Sequence, residues 1–132
     1  MIRVLVADDH MRVRQSITAL LGNVPEIEVV GEAKDGHEAV ELTKELEPDL
    51  VIMDVAMPKM DGITATGRIH LDHLASKVIV LSMYANRNLV QQALRSGAKG
   101  YLLKRTVSED LLPAVYQVLR GEVFLSSPLN SQ

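Results

Sequence analysis

Pro48-Asp49-Leu50-Val51-Ile52-Met53-Asp54-Val55-Ala56-Met57-Pro58 is the stretch on which the fold of this chain turns. Leu50 to Met53 is an unbroken apolar run, as expected of a parallel strand covered on both faces. Pro48-Asp49 punctuates its start, and a carboxylate closes it. Similar runs stand at Ile2 to Ala7, Ile27 to Val30, Val78 to Leu81 and Tyr101 to Leu103. Between these runs the apolar period lengthens to that of amphipathic helices. Val13, Ile17, Leu20 and Leu21 form one stripe, and Ala39, Val40, Leu42, Thr43 and Leu46 a second. Leu89, Val90, Ala93 and Leu94 mark another, and Leu111, Leu112, Val115 and Leu119 the last. Ile63, Thr66 and Ile69 suit a weaker helix that contains Gly67. Asp35-Gly36 turns the second strand into its helix, and Gly97 suits a helix C-cap.

Five successive strand-helix units with right-handed crossovers make an open sheet with helices on both faces. The expected fold is α/β, a flavodoxin-like doubly wound five-stranded parallel sheet in the order 2-1-3-4-5 with five helices. From Gly121 the chain loses periodicity and turns polar. Residues 1–120 therefore read as one domain and residues 121–132 as the start of a linker.

The 132 residues are 47% hydrophobic, enough for one packed core. With three Tyr, one Phe and no Trp, that core must be aliphatic. A formal charge of −3 gives no general pull toward nucleic acid or an anionic membrane. The absence of cysteine excludes disulfides and thiol chemistry. Of the histidines His10, His37, His70 and His73, only the last two have a suggestive spacing, which also suits a solvated helix face. Met1 leads straight into the first strand without a leader pattern, and no apolar run is long enough to span a bilayer. A cytoplasmic, membrane-free protein is the expectation.

In open α/β sheets, ligands bind beyond the carboxyl ends of the strands. Here those ends carry Asp8-Asp9 after the first strand, Asp54 after the third and Ser82 after the fourth, with Lys104 just past the fifth. Taken singly, each has an ordinary explanation. Asp8-Asp9 can cap a helix, Asp54 can precede a turn, and Lys104 can be a surface lysine. Taken together they place three carboxylates, a hydroxyl and an ammonium on one sheet edge. Such a cluster suits a hard divalent cation with oxygen ligands, magnesium above all where phosphate is involved. An aspartate there can serve as nucleophile toward phosphorus, with metal and lysine neutralising charge.

The segments Val-Leu-Val-Ala-Asp8-Asp9-His10, Val-Ile-Met-Asp54-Val-Ala-Met-Pro58-Lys-Met-Asp61-Gly62, Ser82-Met-Tyr and Gly97-Ala-Lys-Gly100-Tyr101-Leu-Leu-Lys104 resemble a response-regulator receiver domain of two-component signalling. The likeness covers roughly residues 1–120. Asp8-Asp9-His10, Val30-Gly31-Glu32-Ala33 and the Gly-Tyr-Leu-Leu-Lys segment are similar to the NarL/LuxR-type subfamily. The resemblance implies that Asp54 accepts a phosphoryl group from a sensor histidine kinase. It implies Mg2+, or Mn2+ in its place, on Asp9, Asp54 and the Ala56 carbonyl, with Asp8 acting through water. Lys104 and Ser82 would contact the phosphoryl oxygens, and Tyr101 would be an aromatic switch that turns inward as Ser82 moves. It further implies transcription regulation through a C-terminal helix-turn-helix DNA-binding domain, and homodimerisation on activation. Residues 1–132 themselves would bind no DNA and perform no turnover chemistry.

Two departures from the family pattern stand out. Met83 follows Ser82 where a small residue is usual, and with Tyr84 it should narrow access to the phosphoryl group. Arg105 follows Lys104 where many relatives have a proline in a cis bond, leaving that peptide's geometry open. A stand-alone receiver, a haloacid-type phosphatase and a flavin protein are the rivals. The phosphatase would want an Asp at position 56, which is Ala, and the flavin protein a Ser/Thr/Gly-rich loop where Asp8-Asp9 stands.

Overall fold

The computed structural model describes residues 1–72 and 75–130. Six strands form one parallel sheet: β1 Ile2–Ala7, β2 Ile27–Ala33, β3 Leu50–Asp54, β4 Lys77–Ser82, β5 Gly100–Leu103 and β6 Phe124–Leu125. Their order is β2-β1-β3-β4-β5-β6, which contains the expected order and adds one strand at its end. Among the described residues six helices accompany them: α1 Met11–Gly22, α2 Gly36–Leu46, α3 Gly62–Asp72, α4 Arg87–Arg95, α5 Val107–Leu119 and the short α6 Ser127–Asn130.

The unbroken apolar runs divide by parity, because successive strand residues face opposite sides. Leu5, Ala7, Val51, Met53, Val80, Tyr101 and Leu103 face one layer, packed with Ala39, Ala65, Ile69, Val90 and Ala93 from α2, α3 and α4. Val4, Val6, Leu50, Ile52, Ile79, Leu81 and Leu102 face the other, packed with Ile17 and Leu21 of α1 and Leu111, Val115 and Val118 of α5. The central strand β3 is thus apolar from Leu50 to Met53 because both of its faces are covered, whereas the edge strand β2 carries exposed Glu28 and Glu32.

Local signals fix where the helices begin. The Asp35 carboxylate accepts from the Glu38 N–H at 2.8 Å and starts α2. Asp61 accepts from the N–H groups of Ile63 and Thr64 at α3, and Asn86 accepts from that of Leu89 at α4. His70, on α3, is exposed; His73 lies outside the described residues.

The segment beginning at Gly121 corrects the linker expectation. Gly121 turns the chain at φ 91°, and β6 then pairs with β5, Phe124 opposite Gly100 and Leu125 opposite Tyr101. Ser126 and Leu129 are buried. The domain therefore continues past residue 120; Ser131 and Gln132 lie outside the described residues. A two-residue strand has no period to read, which is why the sequence pattern misses it.

The loop between β3 and α3 is built on a close approach. The Gly62 N–H donates to the Val55 carbonyl at 2.8 Å, and a Cβ at Gly62 would collide with the Asp54 carbonyl. Gly62→Ala is expected to cost about 1–3 kcal/mol as the loop is forced off β3. Urea unfolding followed by far-UV circular dichroism measures it, and an unchanged midpoint would contradict this packing.

Candidate functional site

Strand register gathers the site. Ala7 is level with Met53, Asp54 with Leu81, and Ser82 with Leu103, so the residues closing β1, β3, β4 and β5 share one edge. Asp8, Asp54 and Ser82 are buried there. The Lys104 ammonium enters between the acids, its Nζ 3.1 Å from Asp8 Oδ2 and 3.1 Å from Asp54 Oδ1. Lys104 opens a 3-10 turn, Lys104–Thr106, and no peptide among the described residues is cis, so the Lys104–Arg105 bond is trans.

The other acid oxygens are unequally served. Asp8 Oδ1 accepts from the His10 N–H at 2.8 Å, and Asp54 Oδ1 lies 3.4 Å from the Ala56 N–H. Asp54 Oδ2 and Asp9 Oδ1 are buried with no hydrogen-bond partner. His10 Nδ1 does approach Asp9 Oδ1 at 3.1 Å, but without hydrogen-bond geometry. Among the described residues, Asp8, Asp9, His10 and Asp54 alone form a group of potential ligands, with donor atoms within 4.8 Å of one another. At that spacing two carboxylates repel by roughly 3–4 kcal/mol for an effective dielectric of about 20, and one lysine cannot offset three. Three carboxylates, two of them with an orphaned oxygen, fit a hard divalent cation.

Electrostatics follow from this crowding. Burial, and next the charge of Asp8, push the Asp54 carboxyl up to about 6, against the pull of Lys104 and the Ala56 N–H. Burial draws the Lys104 ammonium down, but Asp54 and Asp8 outweigh it and leave it above its ordinary value. At neutral pH Asp54 is therefore mostly ionised, as a nucleophile must be, and the lysine is charged.

Ser82 Oγ accepts from the Tyr84 N–H at 3.0 Å, and the Tyr101 hydroxyl donates to the Tyr84 carbonyl at 3.0 Å. Tyr101, for which the resemblance implies a switch that turns inward as Ser82 moves, is fully buried here, with β6 covering its strand. Burial pushes its phenol above the ordinary value, the Ser82 hydroxyl pulling the other way. A cavity of about 190 Å³ opens over Asp54, lined also by His10, Ala56, Ser82, Met83 and Tyr84. Met83 and Tyr84 are 65% and 67% exposed and stand at its mouth. A larger cleft, about 310 Å³, lies elsewhere between Thr43, Asp49 and Asp72, where Asp49 is already bonded to the Arg3 N–H.

Arg14 is a supporting residue that escaped the sequence pattern. Arg14 is buried, its Nη1 donating to the Asp8 carbonyl at 2.7 Å and its Nε to Glu32 Oε1 at 3.1 Å. It holds the turn that carries Asp8 and Asp9. The available signal was its place on the buried stripe of α1 with Ile17 and Leu21.

Residues 4–116 match the response regulator receiver domain family. Over 126 residues the chain is 39% identical to the nitrate/nitrite response regulator protein NarL of Escherichia coli, spanning 96% of this chain and 58% of that protein. Over 127 residues it is 42% identical to the transcriptional regulatory protein LiaR of Bacillus subtilis, spanning 96% of this chain and 60% of LiaR. It thus spans about three-fifths of the length of these curated relatives. A solved LuxR-family two-component response regulator from an Aurantimonas species superposes with a TM-score of 0.93 at 32% identity, covering 98% of this chain and 92% of that one. No helix among the described residues is long and apolar enough to cross a membrane.

The raised Asp54 value has a consequence for stability. Between the ordinary 3.8 and about 6 the folded chain holds this proton more tightly than the unfolded chain. The associated stability is complete below that window and is lost as pH rises through it. In chelating buffer near pH 7.5, Asp54→Asn is therefore expected to melt about 5 °C higher than the parent chain, a shift of roughly 1 kcal/mol. Near pH 4 that advantage should vanish. Thermal melts at the two pH values check this, and a variant less stable than the parent near pH 7.5 would contradict it.

Proposed function

Because the chain belongs to the response regulator receiver family, in its NarL/LuxR-type branch, we propose that Asp54 accepts a phosphoryl group from the phosphohistidine of a sensor histidine kinase. The observation that carries this is the state of Asp54 itself. It is a buried carboxylate with one oxygen on Lys104 and the other unpartnered, beside a cavity that Ser82 also lines.

In the transfer, an Asp54 oxygen bonds to phosphorus as the bond from phosphorus to the donor imidazole nitrogen breaks. The electron pair leaves on that nitrogen of a donor ring protonated at its other nitrogen, giving an aspartyl phosphate and a neutral imidazole. Asp9, Asp54 and the Ala56 carbonyl would hold Mg2+, or Mn2+ in its place, with Asp8 acting through water. The ion supplies charge neutralisation for the phosphoryl oxygens. Lys104 keeps its ammonium beside Asp54 and is placed to pair with those oxygens. Ser82, which accepts from Tyr84, retains a hydroxyl hydrogen to donate to one of them. Two charge-assisted hydrogen bonds at about 1.5–3 kcal/mol each approach the roughly 5.5 kcal/mol that a swing from 1:99 to 99:1 requires.

The domain would act as a stoichiometric acceptor in the cytoplasm, with slow self-hydrolysis, and not as a turnover enzyme. Its output would be a DNA-binding domain in the rest of the protein, engaged through homodimerisation, so that phosphorylation regulates transcription. The relatives named as transcriptional and nitrate/nitrite regulators favour that output over a stand-alone receiver.

Incubation with acetyl phosphate and Mg2+ is expected to add one phosphoryl group, measured by intact mass. The gain should disappear in Asp54→Ala and in excess chelator; no gain in the parent chain refutes the proposal. Met83 and Tyr84 screen the phosphoryl group from water, so Met83→Ala and Tyr84→Ala should each shorten the acyl-phosphate lifetime severalfold. Unchanged lifetimes in both would remove that role.

A further inference from the structure

The buried hydroxyl of Ser126 lies beyond the region matched to the family, yet it bonds to the strand that delivers Lys104. β6 ends at Leu125, and Ser126 continues its contact with β5 in two ways. Its N–H donates to the Tyr101 carbonyl at 3.1 Å, and its Oγ accepts from the Leu103 N–H at 3.0 Å. Where a longer β6 would have offered a backbone carbonyl, a side chain takes its place. Leu103 is fully buried and immediately precedes Lys104, so its N–H has no access to water as an alternative partner.

The hydroxyl hydrogen of Ser126 is committed as well. It donates to Asp110 Oδ2 at 2.7 Å, and the same oxygen accepts from Thr106 Oγ1 at 2.7 Å. Thr106 Oγ1 also lies 3.4 Å from the Leu103 carbonyl, but its single hydrogen favours the shorter bond to Asp110. Asp110, in the first turn of α5, therefore ties the end of the lysine's turn to the C-terminal segment. Thr106 ends the 3-10 turn that Lys104 begins. The backbone is thus held on both sides of Lys104, at Leu103 by Ser126 and at Thr106 by Asp110.

We propose that Ser126, oriented by Asp110, is a positioning residue for Lys104. It fixes the backbone from which the ammonium reaches Asp8 and Asp54, and the functional domain therefore extends to the segment around residue 126. This rests on the proposed role of Asp54 as phosphoacceptor. Ser126 is not among the groups proposed to touch the cation or the phosphoryl group, and the lysine it positions competes with the cation for Asp8 and Asp54, so its loss should slow phosphoryl acceptance without weakening cation binding.

The test compares the parent chain with Ser126→Ala, Ser126→Thr, Asp110→Asn, Lys104→Ala and the Ser126→Ala/Lys104→Ala pair. Acceptance from acetyl phosphate is timed by intact mass, and Mg2+ affinity is measured by calorimetry. Ser126→Ala should slow acceptance about tenfold, the scale of one lost hydrogen bond, with Mg2+ affinity no weaker than in the parent. Ser126→Thr should restore the rate, and Asp110→Asn should fall between. With Lys104 already removed, Ser126→Ala should cause no further slowing. A parent-like rate in Ser126→Ala, or equal slowing with and without Lys104, overturns the proposal.

Thermal melts of the same proteins in chelator need no phosphoryl group. There the losses from Ser126→Ala and Lys104→Ala should sum to more than the loss in the pair; full additivity overturns the proposal by itself. A parent chain that takes up no phosphoryl group defeats the Asp54 assignment instead, and the melts still decide the role of Ser126.

Discussion

One ammonium shared between two buried carboxylates sets the terms for everything at this sheet edge. Lys104 Nζ stands 3.1 Å from both Asp8 and Asp54. Each contact is worth roughly 5 kcal/mol of Coulomb attraction at an effective dielectric of about 20, while taking each ion out of water costs several kcal/mol. Attraction and desolvation are therefore of similar size, and the arrangement holds only because the backbone fixes its members. It also leaves negative charge over, since Asp9 joins the other two acids. A site so balanced responds strongly to one added charge, which is the physical requirement for a switch operated by phosphoryl transfer.

The fold meets that requirement by rigid placement. Parallel strands covered on both faces end together, so residues far apart in sequence meet without long side-chain reaches. Gly62 lets α3 start against the Asp54 carbonyl, and Arg14 clamps the carbonyl of Asp8 from the opposite side of the sheet's first loop. These supports act on backbone atoms, so the acid side chains stay available for ligands.

That division explains what the sequence made legible. Asp8, Asp9, Asp54, Ser82 and Lys104 could be found because each follows a strand whose apolar run is unmistakable, and strand ends converge by topology alone. The five longer strands could be read for the same reason, whereas the division of their residues between the two faces came with the structure. Ser126 and Asp110 left no comparable trace, and Arg14 only its place on the buried stripe of α1, because their roles come from tertiary hydrogen bonds. Phe124-Leu125 is too short to show alternation, and Ser126-Ser127-Pro128 looks like polar linker until β5 is placed beside it. The inward position of Tyr101 was hidden with it, since only the sixth strand converts β5 from an edge to an interior strand.

The same hidden segment gives the site a physical connection to the end of the chain. Both backbone groups of Tyr84 are engaged, its N–H by Ser82 and its carbonyl by the Tyr101 hydroxyl. The Tyr101 carbonyl in turn accepts from the Ser126 N–H. A ligand that draws Ser82 toward Asp54 must either carry Tyr84 with it or break a hydrogen bond, and moving Tyr84 strains the bond from a fully buried phenol. The Tyr84 carbonyl cannot withdraw without losing this bond or leaving the phenol to the neighbouring Ser82 hydroxyl, at a cost of up to about 1–3 kcal/mol. This cost is comparable to one of the contacts a phosphoryl group would add. The loop after β4 is therefore tied by two hydrogen bonds of a strength that a single covalent charge can match, and one of them comes from a tyrosine that the C-terminal segment keeps covered.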